Sequence, residues 1–127
     1  MSAAATVNEF IRLIVGGEFA AACEMVTSDV EYDNVPVGKN IGPEAMTSFL
    51  ETMSDGVDEI EFVILRQTAV GNIVMNERID RFRIEEKWIE LPVAGVFEVT
   101  GDGLISLWRD YFDMATMTDQ VTQLALS

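Results

Sequence analysis

The stretch NERIDRF, residues 76–82, places Arg78 and Asp80 two positions apart in a segment with the pattern of a β-strand. Side chains two apart on a strand point to the same face. Arg78 and Asp80 therefore share a face, and their neighbours on it, Val74 and Phe82, are apolar. A charged pair among apolar neighbours indicates either a functional site or a structural ion network.

A second candidate, Asp110, lies in LISLWRDYFD, residues 104–113. Trp108 and Phe112 share its face, which favours burial of the carboxylate. Alternation alone does not decide which face of either strand is the inner one.

A pocket that contained Arg78, Asp80 and Asp110 could carry out acid–base chemistry. Arginine can hold two carboxylates at once. Two close carboxylates resist ionising together, so one tends to keep a proton, although the arginine opposes this by lowering both pKa values. An acid and a base at the same pH are what a concerted hydrolysis needs. The alternative is a structural ion network in a partly solvated strand.

The amino-acid composition excludes several other mechanisms. The chain has 127 residues, no histidine and one cysteine, Cys23. Ser-His-Asp and Cys-His triads and zinc sites with histidine ligands are excluded. We expect no metal and no cofactor, and we interpret Cys23 as a buried small residue. Acid–base work must therefore use carboxylates, tyrosine or lysine.

Charge and hydropathy restrict the possible partners and the location. With 22 acidic and 8 basic residues the formal charge is -14, which disfavours nucleic-acid and membrane binding. No stretch approaches the ~18 apolar residues of a membrane span. The first ten residues lack the pattern of a signal peptide. We therefore expect a cytoplasmic protein with one domain over residues 1–127.

Helical periodicity comes first in the chain and strand periodicity follows from about residue 59. The predicted helices begin at a capping box over Thr6–Glu9, at Phe19 and at Pro43, and the second of them is short and ends at Met25. An extended segment at 30–35 and a loop separate the second and third helices. The predicted strands cover residues 59–70, 73–84, 87–100 and 104–113, and a weak terminal helix or extension follows them.

This order of elements predicts an α+β fold. We expect the helices to cover one face of a curved antiparallel or mixed sheet. A curved sheet closed by helices forms a cone, and concave apolar sites with a few polar groups are where proteins bind small ligands.

Three motifs together resemble the limonene-1,2-epoxide hydrolase family: YDN at 32–34, ERID at 77–80 and WRDYFD at 108–113. The GVFEVT strand at 95–100, the chain length and the order of the motifs also fit, so the resemblance covers residues 6–112. WRDYFD is fairly specific, whereas ERID alone is weak. The resemblance implies the cystatin-like, or NTF2-like, cone shared with ketosteroid isomerases and polyketide cyclases, which is usually dimeric through the sheet.

The resemblance also implies a role for each candidate catalytic residue. Asp80 would be the general acid that protonates the epoxide oxygen, and Asp110 the general base that takes a proton from water. Arg78 would bridge the two carboxylates, while Tyr32 and Asn34 would hold the water with Asp110. All three charged side chains would point inward. Water would attack in one step to give a vicinal diol, without a covalent intermediate.

Family positions further predict an apolar pocket wall. Its candidate residues are Ile14, Met53, Phe82, Leu91, Val93 and Phe112. Each is equally suited to the hydrophobic core. Residues 54–70 align loosely with the family, which leaves the pocket rim and the substrate size open. The expected partners are a small apolar epoxide, water and a second copy of the chain in a homodimer.

Two other functions fit the same sequence. An isomerase or cyclase with an aspartate base would not need Arg78 between two carboxylates, nor a water held by Tyr32 and Asn34. A non-catalytic small-molecule-binding or dimerisation domain would tolerate Asp80→Asn with little change, and fold alone does not exclude it.

Overall fold

The computed structural model describes residues 1–126, which form helices packed against a six-stranded sheet. In chain order the elements are α1 (Ala3–Val15), α2 (Phe19–Cys23), β1 (Val26–Asn34), β2 (Gly38–Ile41), α3 (Pro43–Ser54), β3 (Glu59–Val70), β4 (Ile73–Ile84), β5 (Lys87–Val99), β6 (Ile105–Tyr111) and α4 (Met114–Leu126). Within this described part, no helix is long and apolar enough to span a membrane.

The sheet is mixed and has the strand order β2-β1-β6-β5-β4-β3. Strands β1 and β6 run parallel, while the other neighbouring pairs are antiparallel. The register shifts once in each of the pairs β1–β6, β3–β4 and β5–β6, and an extra residue in one strand bends it and increases its twist. The predicted α+β class with a curved sheet is confirmed.

Helix α1 covers the concave face of the sheet. Its buried residues include Val7, Phe10 and Ile14, which recur at the three- and four-residue spacing of one helix face. Phe10 packs edge-on against Trp108 of β6, with ring centroids 5.3 Å apart. The same layer includes Phe97 of β5, so helix and sheet share one core.

The strands β3 and β4 have the predicted bounds, and β5 and β6 end within two residues of theirs. The turn between β3 and β4 contains Gly71 with φ of 60°, a left-handed conformation that glycine adopts without steric cost. The tail, predicted as a helix or an extension, forms α4.

Two predicted helix boundaries are wrong. Helix α1 begins before the predicted capping box, because Ser2 supplies the cap and its Oγ accepts a hydrogen bond from Ala5 N at 3.1 Å. Thr6 instead lies inside the helix and is buried. Helix α2 ends at Cys23 rather than at Met25. Cys23 is half-buried, next to Thr47 of α3.

The region around residues 30–41 is more ordered than the sequence indicates. Strand β1 begins at Val26 rather than at residue 30, and the predicted loop contains β2. A short turn joins the two strands, with Asn34 paired to Gly38. This hairpin fixes the end of β1 that carries Tyr32 and Asn34.

Candidate active site

Arg78, Asp80 and Asp110 all lie on the concave side of the sheet. Burial alternates along β4, where Arg78 is 0% and Asp80 4% exposed while Glu77 is exposed. On β6 Asp110 is 4% exposed. The structure therefore decides the question that alternation left open, and both strands point their charged candidates inward.

The guanidinium of Arg78 bridges the two carboxylates. Its Nε donates to Asp80 Oδ1 and its Nη2 to Asp80 Oδ2, each at 2.9 Å. The same Nη2 donates to Asp110 Oδ2 at 3.0 Å. The guanidinium carbon lies 4.9 Å from the ring centroid of Phe62. Residues from β4 and β6, two strands apart in the sheet, thus form one ion cluster.

Burial controls the proton equilibria of this cluster. Desolvation raises the pKa of Asp80 to about 6, against the opposing effect of Arg78, and the nearby Asp110 adds to the rise. Desolvation likewise raises the pKa of Asp110, although Arg78 and Trp108 oppose it. Burial alone would lower the pKa of Arg78, but the two carboxylates raise it. Arg78 remains a cation, while the carboxylates share protons as a coupled pair.

Two further residues touch this cluster, and sequence reasoning did not assign them to it. Trp108 Nε1 donates to Asp110 Oδ1 at 3.0 Å. Arg78 Nη1 donates to Asn76 Oδ1 at 2.9 Å. The two-residue spacing of Trp108 from Asp110 was a usable signal for this contact. Asn76 had the same signal, since it lies two residues before Arg78.

Tyr32 and Asn34 reach the cluster from β1, the parallel neighbour of β6. Tyr32 pairs with Trp108 and Asn34 with Asp110, and the Tyr32 and Trp108 rings stack with centroids 4.1 Å apart. Burial raises the pKa of Tyr32, although the neighbouring Asn34 opposes the rise. Tyr32 therefore remains a neutral phenol. Asn34 Nδ2 is buried and has no hydrogen-bond partner among residues 1–126, so its donors are free for a molecule in the cavity.

The cluster lies at the wall of a cavity of about 220 Å³. Asp80, Asp110, Tyr32 and Asn34 contribute to this wall, while Arg78 lies behind the carboxylates. The structure places all six expected wall residues in the lining: Ile14, Met53, Phe82, Leu91, Val93 and Phe112. Their contact with substrate stays a prediction.

Other apolar residues of the lining were not predicted. They are Phe19, Val37, Phe49, Leu50, Ile60, Phe62, Met114 and Met117. Several come from α3 and α4, so the helices form much of the wall. In the described part of the chain, no group of three or more acidic or cysteine side chains could hold a metal ion.

A curved mixed sheet closed by helices over an apolar cavity defines an NTF2-like α+β cone, here with paired carboxylates inside. The chain belongs to the limonene-1,2-epoxide hydrolase family, since the model of the limonene-1,2-epoxide hydrolase catalytic domain matches residues 1–123. The prediction of this family is confirmed.

Known proteins support the same assignment. The epoxide hydrolase EphG of Mycobacterium tuberculosis is 34% identical over 111 residues, which cover 87% of this chain and 73% of that protein. The structure of an epoxide hydrolase of this type from M. tuberculosis is 32% identical, with a TM-score of 0.81 over 98% of this chain and 96% of that one. Family and relative together support epoxide hydrolase activity in general.

The fold extends beyond the family. An NTF2-like protein of unknown function from Burkholderia pseudomallei K96243 has a TM-score of 0.82 at 17% identity, over 96% of this chain and 99% of that one. Identity this low shows a shared fold and nothing about activity.

Proposed function

We propose that the chain hydrolyses a small apolar epoxide to a vicinal diol by direct attack of water, with no covalent intermediate. The observation that carries the proposal is the guanidinium of Arg78, which holds Asp80 and Asp110 together at the wall of an apolar cavity. Such a cluster supplies an acid and a base within one site.

In this mechanism Asp80 is the general acid. An epoxide is strained, but its alkoxide is a poor leaving group, so a proton delivered to the oxygen assists ring opening. A carboxyl with a pKa of about 6 keeps a proton in weakly acidic solution, and an ordinary aspartate does not. Asp80 also lines the cavity, where an epoxide oxygen could approach it.

Asp110 is the general base, and its neighbour supports this assignment. Asn34 pairs with Asp110 across β1 and β6, and its buried Nδ2 has donors to offer. A water held by Asn34, Tyr32 and Asp110 would have its proton acceptor in place, because a carboxylate accepts hydrogen bonds and an amide N–H donates them.

The reaction balances in atoms and protons. The water oxygen forms a bond to one epoxide carbon while the bond from that carbon to the ring oxygen breaks. One proton of the water passes to Asp110, and the proton of Asp80 passes to the former ring oxygen. Asp80 is left ionised and Asp110 protonated, with Arg78 donating to both. Return of the proton from Asp110 to Asp80 restores the starting state.

The cavity indicates the size and polarity of the substrate. Its volume of about 220 Å³ is below the roughly 300 Å³ at which typical ligand pockets begin. Apart from Tyr32, Asn34, Ser54 and the two carboxylates, its lining residues are apolar. A small hydrocarbon epoxide without charged groups fits these properties.

The expected homodimer, the absence of a cofactor and the cytoplasmic location remain parts of this proposal. The outer face of β3 and β4 exposes Val63, Val70, Ile73 and Met75. An exposed apolar patch of this type supports association through the sheet. Light scattering on the purified protein would give the oligomeric state, and activity after exhaustive dialysis against chelator would test for a cofactor.

Substitution of the two carboxylates tests the proposal. Asp80→Asn and Asp110→Asn should each lower diol formation by at least about 10²–10⁴-fold, the usual contribution of acid–base assistance. The matched control is Asp33→Asn. Asp33 of β1 is also a buried carboxylate bound by an arginine, since it accepts a hydrogen bond from Arg109 Nε at 2.8 Å. This variant should keep parental kcat.

The two alternative functions predict different results. A binding or dimerisation domain forms no diol in any variant, and an isomerase or cyclase turns over other substrates. Substantial diol formation by a folded Asp80→Asn or Asp110→Asn protein would contradict the assigned roles.

A further inference from the structure

Arg78 has one nitrogen that binds neither carboxylate. Its Nε and Nη2 serve Asp80 and Asp110, while Nη1 donates to Asn76 Oδ1 at 2.9 Å. Asn76 is 5% exposed and does not line the cavity. Its buried side chain therefore contacts the ion cluster through Arg78 and not through the cavity.

The direction of this hydrogen bond fixes a chain of amides. A guanidinium only donates, so it must face the oxygen of the Asn76 amide. The Nδ2 of Asn76 is then left to donate, and it reaches Gln67 Oε1 at 3.0 Å. Gln67 Nε2 in turn donates to Asn8 Oδ1 at 3.0 Å. Three amide side chains, of Asn8, Gln67 and Asn76, therefore connect the surface of α1 to the ion cluster, each with a defined orientation.

The register of β3 explains why Gln67 takes part. Before residue 65, Phe62 pairs with Asp80 and Ile64 with Arg78, so even-numbered residues face inward. The register shift between Ile64 and Arg66 changes this alternation, and Gln67 then pairs with Asn76. A bulge re-aims the side chains that follow it. Without the extra residue Gln67 would point away from Asn76.

We propose that Asn76 is a positioning residue for Arg78, and that Gln67, the acceptor for Asn76 Nδ2, helps to hold the Asn76 amide with its oxygen on the guanidinium. The inference rests on the proposed function and adds to it, because a rotated guanidinium would bridge Asp80 and Asp110 less well. The hydrogen bond from Nη1 to Asn76 is a further contact that holds the guanidinium in the orientation in which it meets both carboxylates.

Substitution of Asn76 tests the first part of the proposal, that Asn76 positions Arg78. Asn76→Leu removes the acceptor at similar volume, and we expect kcat to fall by about 10- to 100-fold with KM within about threefold, as for loss of a hydrogen bond to a charged group. Asn76→Asp restores an acceptor and should recover most of kcat. Because it adds a third carboxylate beside Asp80 and Asp110, the alkaline limb of its pH profile should move to higher pH.

Substitution of Gln67 tests the second part of the proposal, that Gln67 holds the Asn76 amide. Gln67 is half-buried, so its substitution carries little risk to folding. Gln67→Glu keeps an acceptor for Asn76 Nδ2, so kcat should stay within about threefold of the parent. Gln67→Lys offers only donors, so Asn76 Nδ2 loses its acceptor and the amide is held less firmly against Nη1; kcat should fall about tenfold. Thr122→Lys, a change of the same charge at an exposed residue of α4, should leave kcat unchanged.

These outcomes separate the positioning role from the proposed function. Diol formation by the parent and its loss in Asp80→Asn establish the function first, and the Asn76 and Gln67 variants are compared with that active parent. Equal kcat for Gln67→Lys and Gln67→Glu, or a parental kcat and pH profile for Asn76→Leu, would overturn the positioning role alone. If Asn76→Leu does not fold, the comparison of kcat between Gln67→Lys and Gln67→Glu tests the positioning role.

Discussion

The guanidinium of Arg78 lies directly over Gly95, so that a Cβ atom at this glycine would overlap Arg78 Nη1. The same Cβ would lie 2.9 Å from Asn76 Oδ1 and 3.0 Å from Asp110 Oδ1. Gly95 pairs with Asn76 on one side and with Asp110 on the other. Because Gly95 of β5 has no side chain, residues of β4 and β6 can contact each other across it.

Gly95→Ala should accordingly displace Arg78 without unfolding the protein, since the added methyl group meets side-chain atoms only. A displacement of about 1 Å in a catalytic group can cost 10²-fold in rate, and we expect kcat to fall by about that factor. Steady-state kinetics and circular dichroism would measure the two effects. Gly101→Ala is the control, because nothing lies within 4 Å of a Cβ at Gly101; equal activity of the two variants would contradict this role.

The dependence of activity on pH should reflect the coupled carboxylates. Asp80 must be protonated to act as an acid, and burial raises its pKa to about 6. The value of kcat/KM should therefore fall at higher pH, by about tenfold per pH unit well above that pKa. At lower pH it should fall again as Asp110 gains a proton. A profile that stays flat from pH 5 to 8 while the protein remains folded would rule out an acid with this pKa.

Trp108→Phe should shift the acidic limb of the same profile. The indole Nε1 donates to Asp110 and lowers its pKa, so its loss should raise that pKa and move the acidic limb to higher pH. Phenylalanine keeps a ring against Tyr32, and the smaller side chain should cost about 1–3 kcal/mol of stability. Trp88→Phe changes a tryptophan that packs on Arg81 outside the cavity lining, and its profile should match the parent.

Local sequence patterns were sufficient for β3 to β6 and for the fold class. Alternating residues and the turn at Gly71 gave β3 and β4 with their observed bounds. The start of α1 was misplaced because Ser2 and Thr6 offer the same capping chemistry, and only the structure shows which hydroxyl is used. Strand β2 was missed because four residues after a turn carry too little periodicity to predict a strand.

The inner face of the sheet was harder to predict because both faces are partly apolar. Met75 and Ile73 are exposed on the outer face of β4, while Arg78 and Asp80 are buried on the inner one, which reverses the usual distribution. Resemblance to the family supplied the correct orientation. The parts played by Gly95 and Gln67 depend on register between distant strands, a non-local property that spacing along one strand does not contain.

The origin of the new oxygen tests the central claim, direct attack of water, most directly. A single turnover with enzyme in excess in ¹⁸O-labelled water, followed by mass spectrometry of diol and protein, would reveal it, with Asp80→Asn as the control for spontaneous hydrolysis. We expect one labelled oxygen in the diol from the first turnover and no label in the protein. Unlabelled diol together with ¹⁸O in an aspartate of the protein would instead demonstrate an ester intermediate and contradict the account.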